Sequence, residues 1–192
     1  MCCLLAGGRH CGGRDALKQH LPGETAAQMR ASILFCAPLL ARLGRAETSL
    51  PGGCNIGARP IDLHLEGLAR MGAKELDAGA GKLVLAAPGG LHGADITLRF
   101  PSVGATETLL LAAVCARGTT ILRGAAREPE ISDLAEFLNR CGGRIEGAGT
   151  STLRIEGRRG LPAAIFRPAG PHLRLYAGLC RRCCRRRWSS PG

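Results

Sequence analysis

Apolar residues along this chain recur at helical spacing, then at strand spacing, in short alternating stretches over residues 29–166. Ile33, Ala37 and Leu40 fall on one face of a helix predicted over residues 29–43, which Gly44 ends. Pro38 is predicted to kink this helix, because proline has no N–H to donate. Residues 47–50 form a short predicted strand, and Pro51-Gly52-Gly53-Cys54-Asn55-Ile56-Gly57 a loop too rich in glycine for local sequence to stiffen. Pro60 suits a helix's first turn, and Ile61, Leu65, Leu68 and Met71 supply the apolar stripe of a helix that stops at Gly72.

Residues 82–86 and 95–100 are predicted strands, the second placing Ile96, Leu98 and Phe100 on one face. Ser102-Val103-Gly104 opens a helix whose apolar positions include Leu109, Leu110, Ala113 and Val114, closed by Gly118. A strand follows over residues 119–122, and Pro129 starts a helix with Ile131, Leu134, Ala135, Leu138 and Cys141 at helical spacing before Gly142.

An offset of 70 residues brings Ile61 onto Ile131, Leu68 onto Leu138, Arg70 onto Arg140, Gly72 onto Gly142, Gly79 onto Gly149, Leu83 onto Leu153 and Leu91 onto Leu161. One unit of strand, loop, helix, glycine turn and two strands is therefore present twice. Such a unit cannot cover its own helix, so an α/β architecture of repeated units with helices packed inward is expected. Exposed edges of the two units are expected to leave apolar helix surface uncovered and to favour aggregation. The second copy has Arg123-Gly124-Ala125-Ala126-Arg127-Glu128 where the first has the longer glycine-rich loop with Cys54. An extension missing from the sister unit is not needed for packing and is the candidate functional part.

The 192 residues are 45% hydrophobic and 3% aromatic, enough apolar mass for one ordinary domain. No apolar run reaches the roughly 18 residues that span a bilayer, and the first residues lack a signal peptide's layout, so a cytoplasmic protein with no membrane partner is expected. The net charge of +11 is concentrated at one end: residues 167–192 hold seven arginines and no acid. That distribution argues against a specific nucleic-acid binder. Of ten cysteines, Cys2, Cys3, Cys11, Cys180, Cys183 and Cys184 lie in the two ends, and free thiols are expected because the chain can build a core without disulfides.

The loop continues through Ala58-Arg59-Pro60-Ile61-Asp62-Leu63-His64, and with Leu50 before it the whole segment resembles the active-site loop of the UDP-N-acetylglucosamine 1-carboxyvinyltransferase family. Three further segments agree in the same order: Met29-Arg30-Ala31-Ser32, Pro101-Ser102-Val103-Gly104-Ala105-Thr106-Glu107 and Ala125-Ala126-Arg127-Glu128-Pro129-Glu130-Ile131. The resemblance covers residues 29–166 and implies an inside-out α/β barrel, truncated here, in which small sheets surround buried helices. It also implies transfer of the enolpyruvyl group from phosphoenolpyruvate to the sugar 3-hydroxyl of UDP-N-acetylglucosamine, the first committed step of peptidoglycan precursor synthesis. No cofactor and no metal are implied.

That reaction needs a proton for C3 of the enol, which makes C2 electrophilic. By resemblance Cys54 is the acid, carried on a lid that closes over the ligands and binds the antibiotic fosfomycin. Arg30 and Arg59 match the family's ligand-binding arginines, and guanidinium suits a small, highly anionic substrate. Residues 59–63, that is Arg59, Pro60, Ile61, Asp62 and Leu63, together with Ser102, Val103 and Gly104, correspond to segments that hold the uridine nucleotide. A serine followed by glycine at a helix start can present N–H groups to phosphate, or Ser102 can serve as an N-cap alone. His64 reads as structural. Gly79-Ala80-Gly81-Lys82 is no phosphate loop, since Leu83 stands where serine or threonine would hold magnesium.

Three segments are thus expected: an unmatched residues 1–28, the cysteine-loop domain over residues 29–166, and an Arg/Cys-rich tail over residues 167–192. The tail reads as a frameshift product, because an alanine-rich coding stretch shifted by one base yields the Arg181-Arg182-Cys183-Cys184 pattern. Its rival, a zinc site at Cys180, Cys183 and Cys184, lacks a fourth ligand. The family's second domain, with its catalytic aspartate, has no counterpart. The alternatives are a catalytically silent fragment or basic binding module, and the related 3-phosphoshikimate 1-carboxyvinyltransferase, whose family lacks the cysteine loop.

Overall fold

The structure, a computed structural model, describes residues 30–49, 61–76 and 82–158. A 3-10 turn, Arg30–Phe35, leads into helix α1, Cys36–Leu43, and strand β1, Arg45–Ser49. Helix α2, Asp62–Arg70, precedes strands β2, Lys74–Leu76, and β3, Lys82–Ala86. The second half runs through β4, Asp95–Thr97, α3, Val103–Ala113, β5, Gly118–Arg123, α4, Pro129–Arg140, β6, Arg144–Glu146, and β7, Thr152–Gly157.

Two local expectations are corrected. Pro38 does not kink a long helix: the backbone passes from 3-10 to α-helical at Cys36, so Pro38 sits in the first turn of α1, where an N–H has no partner within the helix. Phe100 does not share the buried face of Ile96 and Leu98, since β4 ends at Thr97, the chain bends at Arg99, and Phe100 is 51% exposed. The following Pro101 disfavours α-helical backbone at Phe100, which keeps the bend out of α3. Helix α3 also ends at Ala113, and Gly118 opens β5 rather than closing the helix.

Strands β1, β3 and β2 make an antiparallel sheet with β3 in the middle. Strands β4, β5, β7 and β6 make a second sheet, in which β4 runs parallel to β5 and the other pairs are antiparallel. The internal repeat holds to the level of register. Lys74 faces Ala86 and Glu75 faces Leu85, while Arg144 faces Glu156 and Ile145 faces Ile155, the same pairs 70 positions on. On the other side, Arg45 faces Ala86 and Thr119 faces Glu156, an offset of 74 for the first strand of each unit. The stretch from that strand to β2 is therefore four residues longer than its counterpart ending at β6, and the link to the helix itself takes residues 50–61 in the first copy against residues 124–128 in the second. Gly72 and Gly142, with φ of 93° and 87°, make the same left-handed turn after the two related helices.

Helix α3 is the centre of the core. Residues 105–114 are all buried, so the helix is enclosed on every side, and α1, α2 and α4 pack against it. Leu109, Leu110 and Leu111 are fully covered, each contributing about 1.5–3 kcal/mol by burial. Gly67 of α2 lets the two helices approach closely: a Cβ there would lie 2.4 Å from a methyl of Leu109. The sheets lie outside, as the exposed–buried–exposed pattern of Arg144, Ile145 and Glu146 shows. Among the described residues Leu76 and Phe100 are the large exposed apolar side chains, and Leu65, Leu68 and Ala69 of α2 line an open hollow with Ala73 and Leu85. Cys36 is a free thiol in the core, and burial pushes it up to about 12, leaving it unreactive.

Candidate substrate site at the amino end of α3

Three of the four motif segments meet around the first two turns of α3. Ser102 caps the helix, its hydroxyl accepting from the Ala105 N–H at 3.4 Å. The Thr106 hydroxyl donates to the Ser102 carbonyl at 2.8 Å and accepts from the Ala126 N–H at 3.1 Å, which ties the segment of Ala125, Ala126 and Arg127 to this helix end. From the other side come Ile61, Asp62 and Leu63 at the start of α2. His64 Nδ1 lies 2.8 Å from the Thr108 hydroxyl, which donates to the Gly104 carbonyl at 2.9 Å. Arg99 closes the arrangement at the surface with ion pairs to Asp62 and Glu66.

The electrostatics differ sharply between the rim and the interior. At the rim, desolvation would raise the Asp62 carboxyl, but the Leu63 N–H bonded at 2.9 Å and the Arg99 guanidinium hold it below its ordinary range. Inside, burial pushes His64 down to about 4, against the pull of Asp62, so the imidazole is neutral at physiological pH. Burial also pushes Glu107 up to about 7, and the nearby Glu130 carboxylate adds to this. Glu107 therefore holds its proton over much of the range in which an ordinary glutamate has lost it.

Of the residues singled out in the sequence, Ser102, Val103 and Gly104 form the amino end of α3, all half-buried. Ile61 accepts the Leu65 N–H at 3.1 Å, Asp62 begins α2, and Leu63 points into the core at 4% exposure. Arg30 begins the 3-10 turn, which packs on α3. Cys54, Arg59 and Pro60 lie outside the described residues, as do the terminal segments and the cysteines proposed there as a rival zinc site. Sequence reasoning did not pick out Glu107, Thr108 or Arg99. The one acidic residue inside an otherwise uncharged apolar helix was the available signal for Glu107. No cluster of three metal-ligating side chains occurs among the described residues, and no helix among them is long and apolar enough to cross a membrane.

A family profile described as EPSP synthase (3-phosphoshikimate 1-carboxyvinyltransferase) matches residues 9–167. The chain belongs to the EPSP synthase family. Within this family, UDP-N-acetylglucosamine 1-carboxyvinyltransferase 2 of Carboxydothermus hydrogenoformans is 56% identical over 140 residues, covering 73% of this chain and 33% of the relative. UDP-N-acetylglucosamine 1-carboxyvinyltransferase of Acidiphilium cryptum is 56% identical over 143 residues, covering 74% and 34%. The chain thus spans about a third of the length of the curated relatives it matches. Among solved structures, the enolpyruvyl transferase NikO from Streptomyces tendae aligns with a TM-score of 0.60 at 24% identity, covering 77% of this chain and 36% of that one. EPSP synthase from Acinetobacter baumannii aligns with a TM-score of 0.51 at 20% identity, covering 69% and 30%. The fold is accordingly the inside-out α/β arrangement of the EPSP synthase family, with helices inside the sheets.

Proposed function

We propose that this chain carries the thiol side of the cleft of a UDP-N-acetylglucosamine 1-carboxyvinyltransferase, an enzyme of peptidoglycan precursor synthesis in the cytoplasm. The observation that carries this reading is 56% identity over 140 residues to a transferase of that name. The Cys54 thiol gives its proton to C3 of phosphoenolpyruvate, the sugar 3-hydroxyl oxygen bonds C2 and loses its proton to a base, and an addition product forms. Loss of the C3 proton and of phosphate then restores the double bond on the new ether. Arg30 and Arg59 hold the anionic substrate. Residues 59–63 and Ser102, Val103 and Gly104 hold the uridine nucleotide, with the amino end of α3 directing N–H groups at its phosphates.

The base that faces the sugar hydroxyl belongs, by family resemblance, to the part of the relatives that this chain does not match. Transition-state stabilisation needs groups converging from both sides. The chain alone is therefore proposed to bind and to present the thiol without turning over. The test is fosfomycin labelling of Cys54, followed by peptide mass spectrometry, with and without UDP-N-acetylglucosamine, alongside phosphate release from phosphoenolpyruvate. Labelling that the nucleotide sugar accelerates, without phosphate release, is the expected result. No labelling under either condition overturns the cysteine-site reading and leaves a catalytically silent domain.

A further inference from the structure

His64 lies in none of the roles assigned above, yet its position at the junction of the two nucleotide segments is specific. It is 8% exposed, one helical turn into α2, and its ring packs on Gly104, where a Cβ would lie 3.3 Å from Cε1 and 3.5 Å from Nε2. Its Nδ1 is 2.8 Å from the Thr108 hydroxyl, and that hydroxyl is 2.9 Å from the Gly104 carbonyl. A threonine hydroxyl has a single proton. Once that proton is given to the Gly104 carbonyl, the ordinary bond of a helical threonine to the carbonyl four residues back, the oxygen can only accept from His64. The hydrogen must then sit on Nδ1, and Nε2 is the bare nitrogen against Gly104.

We propose that His64 is a positioning residue for nucleotide binding: as an Nδ1–H donor to Thr108 it fixes the Gly104 carbonyl, and with it the first turn of α3, against the start of α2. The proposal rests on the assignment of Ser102, Val103 and Gly104 to the nucleotide site. It gives the imidazole no contact with substrate. It also bears on glycine at position 104, where a Cβ would press on the ring that holds the turn at 3.3 Å. Loss of one such hydrogen bond, which holds the turn in place, is expected to weaken nucleotide affinity about tenfold.

The test uses the full chain and four variants. His64→Asn keeps an N–H near the Nδ1 position and His64→Leu removes it, while Thr108→Ser keeps the hydroxyl and Thr108→Val removes it. Long-range 1H–15N correlation of the imidazole reads which nitrogen is protonated, and calorimetry reads the affinity for UDP-N-acetylglucosamine. Expected are an Nδ1–H tautomer, amide shifts at Ser102, Val103, Gly104 and Ala105 that move in His64→Leu and Thr108→Val but return in His64→Asn and Thr108→Ser, and affinity that follows the same order. An Nε2–H tautomer, amide shifts indifferent to all four variants, or equal affinity in wild type and His64→Leu overturns the proposal. Wild-type chain with the expected tautomer and amide pattern that binds no UDP-N-acetylglucosamine overturns both the nucleotide assignment and the positioning role built on it. Binding that is unaffected by the variants overturns the positioning role alone.

Discussion

Burial acts on two groups of the site in opposite senses, and between about pH 4 and pH 7 their contributions to folding stability nearly cancel. His64 falls from 6.5 to about 4 on folding, so on acidification the unfolded chain takes up its proton first. Its contribution is complete above pH 6.5 and is lost as the pH falls toward 4, on the order of 3 kcal/mol in all. Glu107 rises from 4.5 to about 7, so the folded chain holds its proton longer. That contribution is complete below pH 4.5 and is lost as the pH rises through 7, again on the order of 3 kcal/mol. Near pH 5.5 each linkage has a slope of roughly 1.4 kcal/mol per pH unit, one positive and one negative. Urea unfolding at constant ionic strength, at about pH 4.5, 5.5 and 6.5, should give a nearly flat profile for the wild type. Glu107→Gln should then gain stability with rising pH and His64→Asn should lose it, each by roughly 2 kcal/mol across the window. The slope carries the information, since a uniform loss from imperfect packing shifts all three points alike. Two variants with profiles as flat as the wild type, or a Glu107→Gln profile that falls with pH, would refute the reasoning.

Gly67→Ala gains about 1 kcal/mol of helix propensity but drives a methyl into Leu109, which is fully buried, so a net loss of about 1–2 kcal/mol is expected by urea unfolding. Combining it with Leu109→Ala should cost less than the two single changes together, and a stabilised Gly67→Ala would contradict the close helix contact. Asn139→Ala removes the side-chain bonds that join α4 to β6, from Nδ2 to the Ile145 carbonyl at 2.9 Å and from the Ile145 N–H to Oδ1 at 2.8 Å. A loss of about 1–2 kcal/mol and faster hydrogen exchange at the Ile145 amide are expected, and unchanged exchange there would count against it.

Elements whose apolar spacing is long enough to count were legible without coordinates. α4 begins at Pro129, as its first-turn proline predicts, and β3 occupies the predicted residues 82–86. The repeat was legible too, because both copies bury the same register positions: Leu83 and Leu153 are core residues at the same place in two sheets. Pro38 and Phe100 misled because local pattern cannot show where a helix changes type or where a strand stops. A chain bend and the proline after it turned an apparently alternating Phe100 outward. The same limit hid Glu107. Nothing in the spacing of α3 says that the helix is enclosed on every side, and that enclosure, with the Glu130 carboxylate nearby, pushes an ordinary glutamate up to about 7.

The site shows the same division between what neighbouring residues encode and what assembly encodes. Cys54 and its glycines were recognisable as a motif because their chemistry is local, and the element bounds add that this link, residues 50–61, is longer than its counterpart in the sister unit, residues 124–128. Loop closure costs little per added residue, so one copy could acquire such a loop without losing its pairing with the sheet. The relation among the motif segments is a different matter, since it depends on α3 being rigid. Ser102, Thr106 and Thr108 each make a bond within the first two turns, the first to Ala105 of the same helix and the others to Ala126 and His64, which belong to two separate stretches of chain. A helix buried in the core and capped at one end can hold such partners in fixed relation, whereas a surface helix that frays could not. Folding the helices inside the sheets is what makes the amino end of α3 a fixed point on which separate segments converge.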